Sequence, residues 1–173
     1  MAFIEQLMQR LEAASGDTRA QAAVAAEFVL MARPEAEREP LRSALDAAAV
    51  LRWFDASLME KVLEIPDDEA RKRFEELKAL PFVERYRRSE HDLLNVHEST
   101  RLGWRKQLAH EWPERFADLS AKVAACFADD FTPAGRIDWI YHLLCGDPER
   151  GATELEELDR NWSSCARPED RYV

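Results

Sequence analysis

Residues able to do chemistry are thinly spread along this sequence, and their spacing, more than their type, limits what they can do. His91 and His97, with Glu90 and Asp92 nearby, offer imidazole and carboxylate ligands of the kind that hold metal ions. On alternating strand positions the two histidines share a face, but they are too far apart to hold one ion without distortion. Ser163-Ser164-Cys165 supplies hydroxyl and thiol nucleophiles next to a polar tail, with no positioned base to take a proton. Glu156-Glu157 reads as a pair of ordinary solvated helix charges, and His110 and His142 read as surface or packing residues on helices. The sequence therefore predicts no enzyme: no catalytic residue, no metal site and no cofactor.

Binding residues are a different matter. Arg85, Arg87, Arg88, Arg101, Arg105 and Lys106 could together make a basic patch, offset by Glu84, Glu90, Asp92 and Glu98. The chain has 173 residues and a formal net charge of −10. The summed field repels a phosphate backbone unless a local patch overrides it. The segment Asp67–Leu80 mixes Asp67, Asp68, Glu69, Glu75 and Glu76 with Arg71, Lys72, Arg73 and Lys78, a poor match to a DNA groove. A protein partner is expected ahead of nucleic acid. Of the five tryptophans, Trp53 and Trp139 continue apolar stripes and read as core, while Trp104, Trp112 and Trp162 are candidates for a partner surface.

Cys126, Cys145 and Cys165 form no Cys-x-x-Cys pair, so neither a zinc cage nor a disulfide framework is signalled. Cys126 and Cys145 lie on apolar helical faces and read as small core residues. With no leader-like start and no apolar run of about 18 residues, the expectation is a cytoplasmic chain that neither spans nor contacts a membrane.

The elements that must position these groups are mostly helical, as abundant Ala, Leu, Glu and Arg and only five glycines suggest. Phe3, Ile4, Leu7, Met8 and Leu11 recur at helical spacing. Gly16 can close that helix, and Asp17 can cap a second, running from Thr18 to about Ala32. Pro34 to Pro40 is charged and proline-flanked and reads as a connector, with Pro40 opening a third helix that carries Leu41, Leu45, Ala48 and Ala49 and has Trp53 and Phe54 near its end. Asp55 caps Ala56–Ile65, and Pro66-Asp67-Asp68 opens the next helix. Phe82 to Tyr86 alternates like a half-buried strand, Arg87 to His91 is a turn, and Leu93, Leu94 and Val96 return. Helices follow from Glu98, around Leu119 and Phe127, around Ile140 and Leu144, and from Pro148 to about Trp162; Ala166–Val173 reads as a frayed tail.

Three helices followed by a hairpin is the outline of a winged helix. The predicted architecture is mostly α: an N-terminal helical pair and linker over 1–39, a winged-helix domain over 40–110, and a C-terminal helical hairpin region over 111–173, like the start of a TPR-like array.

The stretch from Leu41 to about Trp162 resembles the region that follows the nucleotide-binding domain in bacterial STAND ATPases, the NACHT and NB-ARC-like signal-transduction class. Leu80-Pro81-Phe82-Val83-Glu84 is similar to that family's lead into its wing, and Val96-His97-Glu98-Ser99-Thr100-Arg101 to its Met/Leu-His-Asp-x-x-Arg motif. Leu119 to Phe127 and Trp139 to Leu144 look like the helices that open its sensor array. The resemblance implies a winged helix coupling a nucleotide-binding core to a helical-repeat sensor, with His97 facing the bound ADP and Glu98 and Arg101 completing the motif. An imidazole at a helix start can donate to a phosphate. The chain departs from the family in Glu98, where Asp is usual, in Val96, and in lacking any Gly-x-x-x-x-Gly-Lys-Ser/Thr loop. The implied partner is therefore an ATPase core, in cis or in trans. The alternatives are a stand-alone winged-helix regulator that binds nucleic acid and a helical-repeat adaptor that binds only protein.

Overall fold

Gly16 and Asp17 make the first turn. Gly16 takes a left-handed φ of 88°, and the Asp17 carboxylate accepts from the backbone N–H groups of Arg19 and Ala20, both at 3.0 Å. In the computed structural model, which describes residues 2–86 and 92–164, this turn joins α1 (Ala2–Ala13) to α2 (Thr18–Met31). The α2 stripe of Ala23, Val24, Ala26, Phe28 and Leu30 is buried. Along α1 the apolar face is only part-covered: Leu7 and Leu11 are half-buried, while Ile4 and Met8 face solvent.

The stretch read as a connector is helical. Helix α3 runs Glu35–Val50, with Pro34 at its N-cap and Pro40 inside it. Pro40 sits little more than a turn in, where its missing N–H costs only the bond to the Ala36 carbonyl. Glu35 and Glu37 suit the positive end of the helix. Every residue from Ala44 to Val50 is buried, so α3 is the central helix of the core, and that burial outweighs the local cost of the proline.

Asp55 then caps α4 (Ala56–Leu63) by accepting from the Leu58 N–H at 2.7 Å, and α5 (Asp67–Lys78) starts after Pro66. Strands β1 (Val83–Arg85) and β2 (Leu94–Val96) pair antiparallel in the register Val83 to Val96 and Arg85 to Leu94. Phe54, expected near a helix end, does something else. Its N–H donates to the Leu94 carbonyl at 2.8 Å and its carbonyl accepts from the Leu94 N–H at 2.9 Å. β2 is thus flanked on both sides, and the order helix, bridge, helix, helix, hairpin is that of a winged helix. The bridge also places the Phe54 ring in the core, edge-on to Phe74 at 6.2 Å.

Helix α6 (Glu98–Glu111) follows β2 and lies closely on α2 at Gly103. A Cβ there would collide with the Arg19 carbonyl oxygen and come within 3.2 Å of the Ala23 methyl. Residues 1–112, the helical pair and the winged helix together, make one compact unit, and residues 113–173 make a second.

The second unit holds α7 (Pro113–Phe127), α8 (Pro133–Gly146) and α9 (Pro148–Ser164). α7 and α8 run antiparallel: Gly146 at the end of α8 lies against Ala117 and Ala121 near the start of α7. Asp147 alone separates α8 from α9, where Gly151 is pressed against the Leu144 backbone. Leu119, Val123, Ile140 and Leu143 form this unit's core, while Cys126 and Cys145, expected inside, are half-buried. The chain is mostly α with one small hairpin. Among the described residues no helix is long and apolar enough to cross a membrane.

Candidate functional site

β2 and α6 position the motif that sequence singled out. His97 is the residue before α6, with both His97 and Glu98 exposed. The imidazole caps no backbone N–H; its Nδ1 lies 2.9 Å from the Ser99 hydroxyl. With Nδ1 engaged, Nε2 is the ring nitrogen left for an outside group. His97 and Glu98 therefore face solvent, while Arg101, one turn further, is half-buried.

Only part of the expected basic patch falls among the described residues. Arg85 pairs with Asp92 at 3.5 Å. Lys106 reaches Asp17 at 3.7 Å, against the start of α2. Arg105 is buried, because its position on α6 faces the core side of the helix. Arg87, Arg88 and His91 lie outside the described residues. Helix α5, which holds the recognition position of the winged helix, is equally self-contained. Arg71 binds Asp67 at 2.8 Å, Lys72 approaches Glu76 at 3.9 Å, Arg73 bridges Glu69 and Glu76 at 3.1 and 2.7 Å, and Lys78 sits between Glu75 and Asp92 at 3.4 Å from each.

The tryptophans divide as well. Trp104 is 4% exposed, so it is no surface anchor. Its indole N–H donates to the buried Asp46 carboxylate at 2.7 Å, and the Arg42 guanidinium lies 5.5 Å over its ring. Arg42 in turn meets Glu27 at 3.3 Å, and Glu27 also pairs with Arg10, whose guanidinium lies over Phe28. One polar thread thus joins α1, α2, α3 and α6. Trp112 is 61% exposed. Trp162 falls in the last turn of α9 with its side chain outside the described residues, as is Cys165. Trp53 and Trp139, expected in the core, are half-buried.

The second unit holds an arrangement that sequence reading missed. Arg136 of α8 donates to the carbonyls of Phe127, Ala128 and Asp130 at the end of α7. Its guanidinium lies 4.7 Å from the Phe131 ring centroid and 4.4 Å from that of Trp139. The only sequence signal was an arginine one turn into a helix opened by Thr132-Pro133. His142 is buried here, stacked on Phe127 at 6.4 Å and edge-on to Tyr141 at 5.0 Å. Among the described residues no three His, Cys, Asp or Glu side chains gather where they could hold a metal ion.

Compared with known proteins, the chain matches no family model, no curated protein and no solved structure.

Proposed function

We propose that this chain is a non-enzymatic regulatory module that works through protein contacts. Its winged helix packs on a nucleotide-binding ATPase core, in cis or in trans, and couples that core's nucleotide state to the helices that follow. One observation carries the preference for protein over nucleic acid. Each basic residue of α5, the helix a DNA-reading winged helix would place in the groove, is tied to a carboxylate of this same chain. Together with a net charge of −10, this leaves the recognition helix, where acids outnumber bases, with no net positive charge for counterion release to reward. Support for a nucleotide-binding partner comes from the exposed His97 at the start of α6, with Glu98 beside it, and from the resemblance of that segment to the STAND motif. Packed helical units of this kind transmit a signal by rigid-body movement rather than by soft deformation.

The test is affinity capture from native extract with the full chain as bait, with partners identified by mass spectrometry. Enrichment of a protein carrying a phosphate-binding Gly-Lys-Ser/Thr loop supports the reading. A strong, salt-sensitive gel shift on duplex DNA or RNA, with no ATPase recovered, would replace it with the nucleic-acid alternative.

A further inference from the structure

The hairpin of the winged helix has one open edge, and a pair of hydrogen bonds on its far side fixes what that edge presents. Leu94 of β2 exchanges both backbone bonds with Phe54, accepting at 2.8 Å and donating at 2.9 Å. Its backbone groups are thus turned away from Arg85, which lies opposite it on β1. Bonded and non-bonded pairs alternate along an antiparallel ladder. The bonds on either side keep this phase: the His97 N–H donates to the Phe82 carbonyl at 2.8 Å, and the Tyr86 N–H to the Leu93 carbonyl at 2.9 Å. Phe82, Glu84 and Tyr86 therefore turn their backbone groups toward β2, while Val83 and Arg85 turn theirs outward. The Val83 N–H donates to the Leu80 carbonyl at 3.1 Å. Among the described residues no backbone group takes up the Val83 carbonyl or the Arg85 N–H and carbonyl.

Unmet donors and acceptors along a strand edge fit one kind of ligand, another strand. A second copy of β1 suits it poorly. A two-fold pairing that matches Arg85 within the strand sets either Arg85 opposite Arg85 or, with Val83 opposite Arg85, Glu84 opposite Glu84. Like charges directly opposite are destabilising. Glu84 and Arg85 are both exposed, and their contacts within the chain, Glu84 with Asn95 at 3.3 Å and Arg85 with Asp92 at 3.5 Å, lie in solvent where such pairs are weak. An incoming strand of matched charge can engage both. The shortness of β1 and its two charges keep unmatched strands away.

We propose that the open edge of β1 takes up an extended segment of a protein partner as an added antiparallel strand. One residue of that segment, Asp or Glu, exchanges both backbone bonds with Arg85, and the next, Lys or Arg, lies opposite Glu84. This goes beyond the regulatory reading above, because it depends neither on His97 nor on nucleotide.

The test selects binders of the full chain from a displayed library of short random peptides. Retained peptides should carry an acid followed directly by a base. A synthetic copy of one should slow amide exchange at Arg85 by about 10-fold or more. Arg85→Pro removes only the outward N–H, which an edge strand tolerates, so it should keep the wild-type thermal midpoint and weaken that peptide by about 10-fold. Glu84→Pro removes an N–H that faces β2 and should lower the midpoint. Exchange at Arg85 in the wild-type chain decides the question even where a proline variant melts early. The proposal is overturned if no peptide is retained, if those retained lack the acid–base pair, if they leave exchange at Arg85 unchanged, or if Arg85→Pro, still folded, binds them as tightly. An unchanged midpoint in Glu84→Pro overturns the phase on which it rests. Exchange at Arg85 that slows with protein concentration alone would mean that a second copy covers the edge, and overturns it too.

Discussion

The indole N–H of Trp104 on α6 donates a 2.7 Å hydrogen bond to the carboxylate of Asp46 on α3, two buried groups 58 positions apart in sequence. A carboxylate inside a helical core is costly unless its oxygens are satisfied. The bond therefore fixes where α6 lies on α3. Trp104→Phe keeps an aromatic ring, smaller than the indole, and removes the donor. It should lower unfolding stability by about 2 kcal/mol in urea titration. Adding Asp46→Leu to that variant should cost less than the sum of the two single changes, since no buried acceptor is then left behind. Additive losses would mean that the bond contributes little.

Gly103 makes the companion contact of α6, with α2. An alanine there gains helix propensity of about 1 kcal/mol but drives its methyl into the Arg19 carbonyl. Backbone cannot step aside as a flexible side chain can, so the two helices must part. Gly103→Ala should destabilise the first unit by about 2 kcal/mol or more in thermal or urea melts. A neutral or stabilising effect would show that α2 and α6 are not so closely packed.

Where local chemistry decides structure, the sequence was readable. Gly16, Asp17 and Asp55 announced their turn and caps, and the apolar spacing of α2, α5 and α7 marked the buried faces. The failures have two causes, a proline tolerated early in a helix and long-range burial. Pro40 looked like a helix start, yet the exposed residues Glu35 to Glu39 are already helical, opened at Pro34 with Glu35 and Glu37 in the first turn. Phe54 looked like a helix end, but its backbone pairs with Leu94, forty positions on. Trp104 and Arg105 looked like surface residues because nothing local shows that α6 turns them toward the core. For the candidate site, the position of His97 at a helix start followed from the sequence, whereas its exposure and the Arg136 clamp did not, the latter because its partners are backbone carbonyls that have no sequence signature.

Two loop carboxylates give the fold a pH dependence of definite sign. Asp17 is held below the ordinary value of 3.8, first by the Ala20 N–H and then by the Arg19 N–H and Lys106. Asp130 is lowered likewise, first by the Thr132 hydroxyl, then by the Thr132 N–H and Arg136. Because the folded state holds these protons less tightly than the unfolded chain, their contribution is complete above the ordinary carboxylate range. It is lost as pH falls below about 4 and through the lowered values. Thermal midpoints measured from about pH 6 down to pH 3 should fall less steeply for Asp17→Asn than for wild type, since the amide keeps an acceptor and does not titrate. An equally steep fall would assign the acid sensitivity elsewhere.

Arg136 should not tolerate lysine. A single ammonium cannot reach three carbonyls while staying against two rings, as the planar guanidinium does. Arg136→Lys and Arg136→Met should both lose about 1–2 kcal/mol, and amide exchange from Asp130 to Arg136 should speed up. Rescue of both stability and exchange by lysine would reduce the clamp to a simple charge effect.

The central claim is that this winged helix reads the nucleotide state of a protein partner through His97. It is tested most directly by capturing partners from native extract with the wild-type chain and with His97→Ala, each with and without added ADP. The account predicts that the wild-type chain recovers a nucleotide-binding ATPase, that ADP changes the amount recovered, and that His97→Ala abolishes the ADP effect while its thermal midpoint stays that of wild type. Recovery of a partner without a nucleotide site, indifferent both to ADP and to His97, would contradict it.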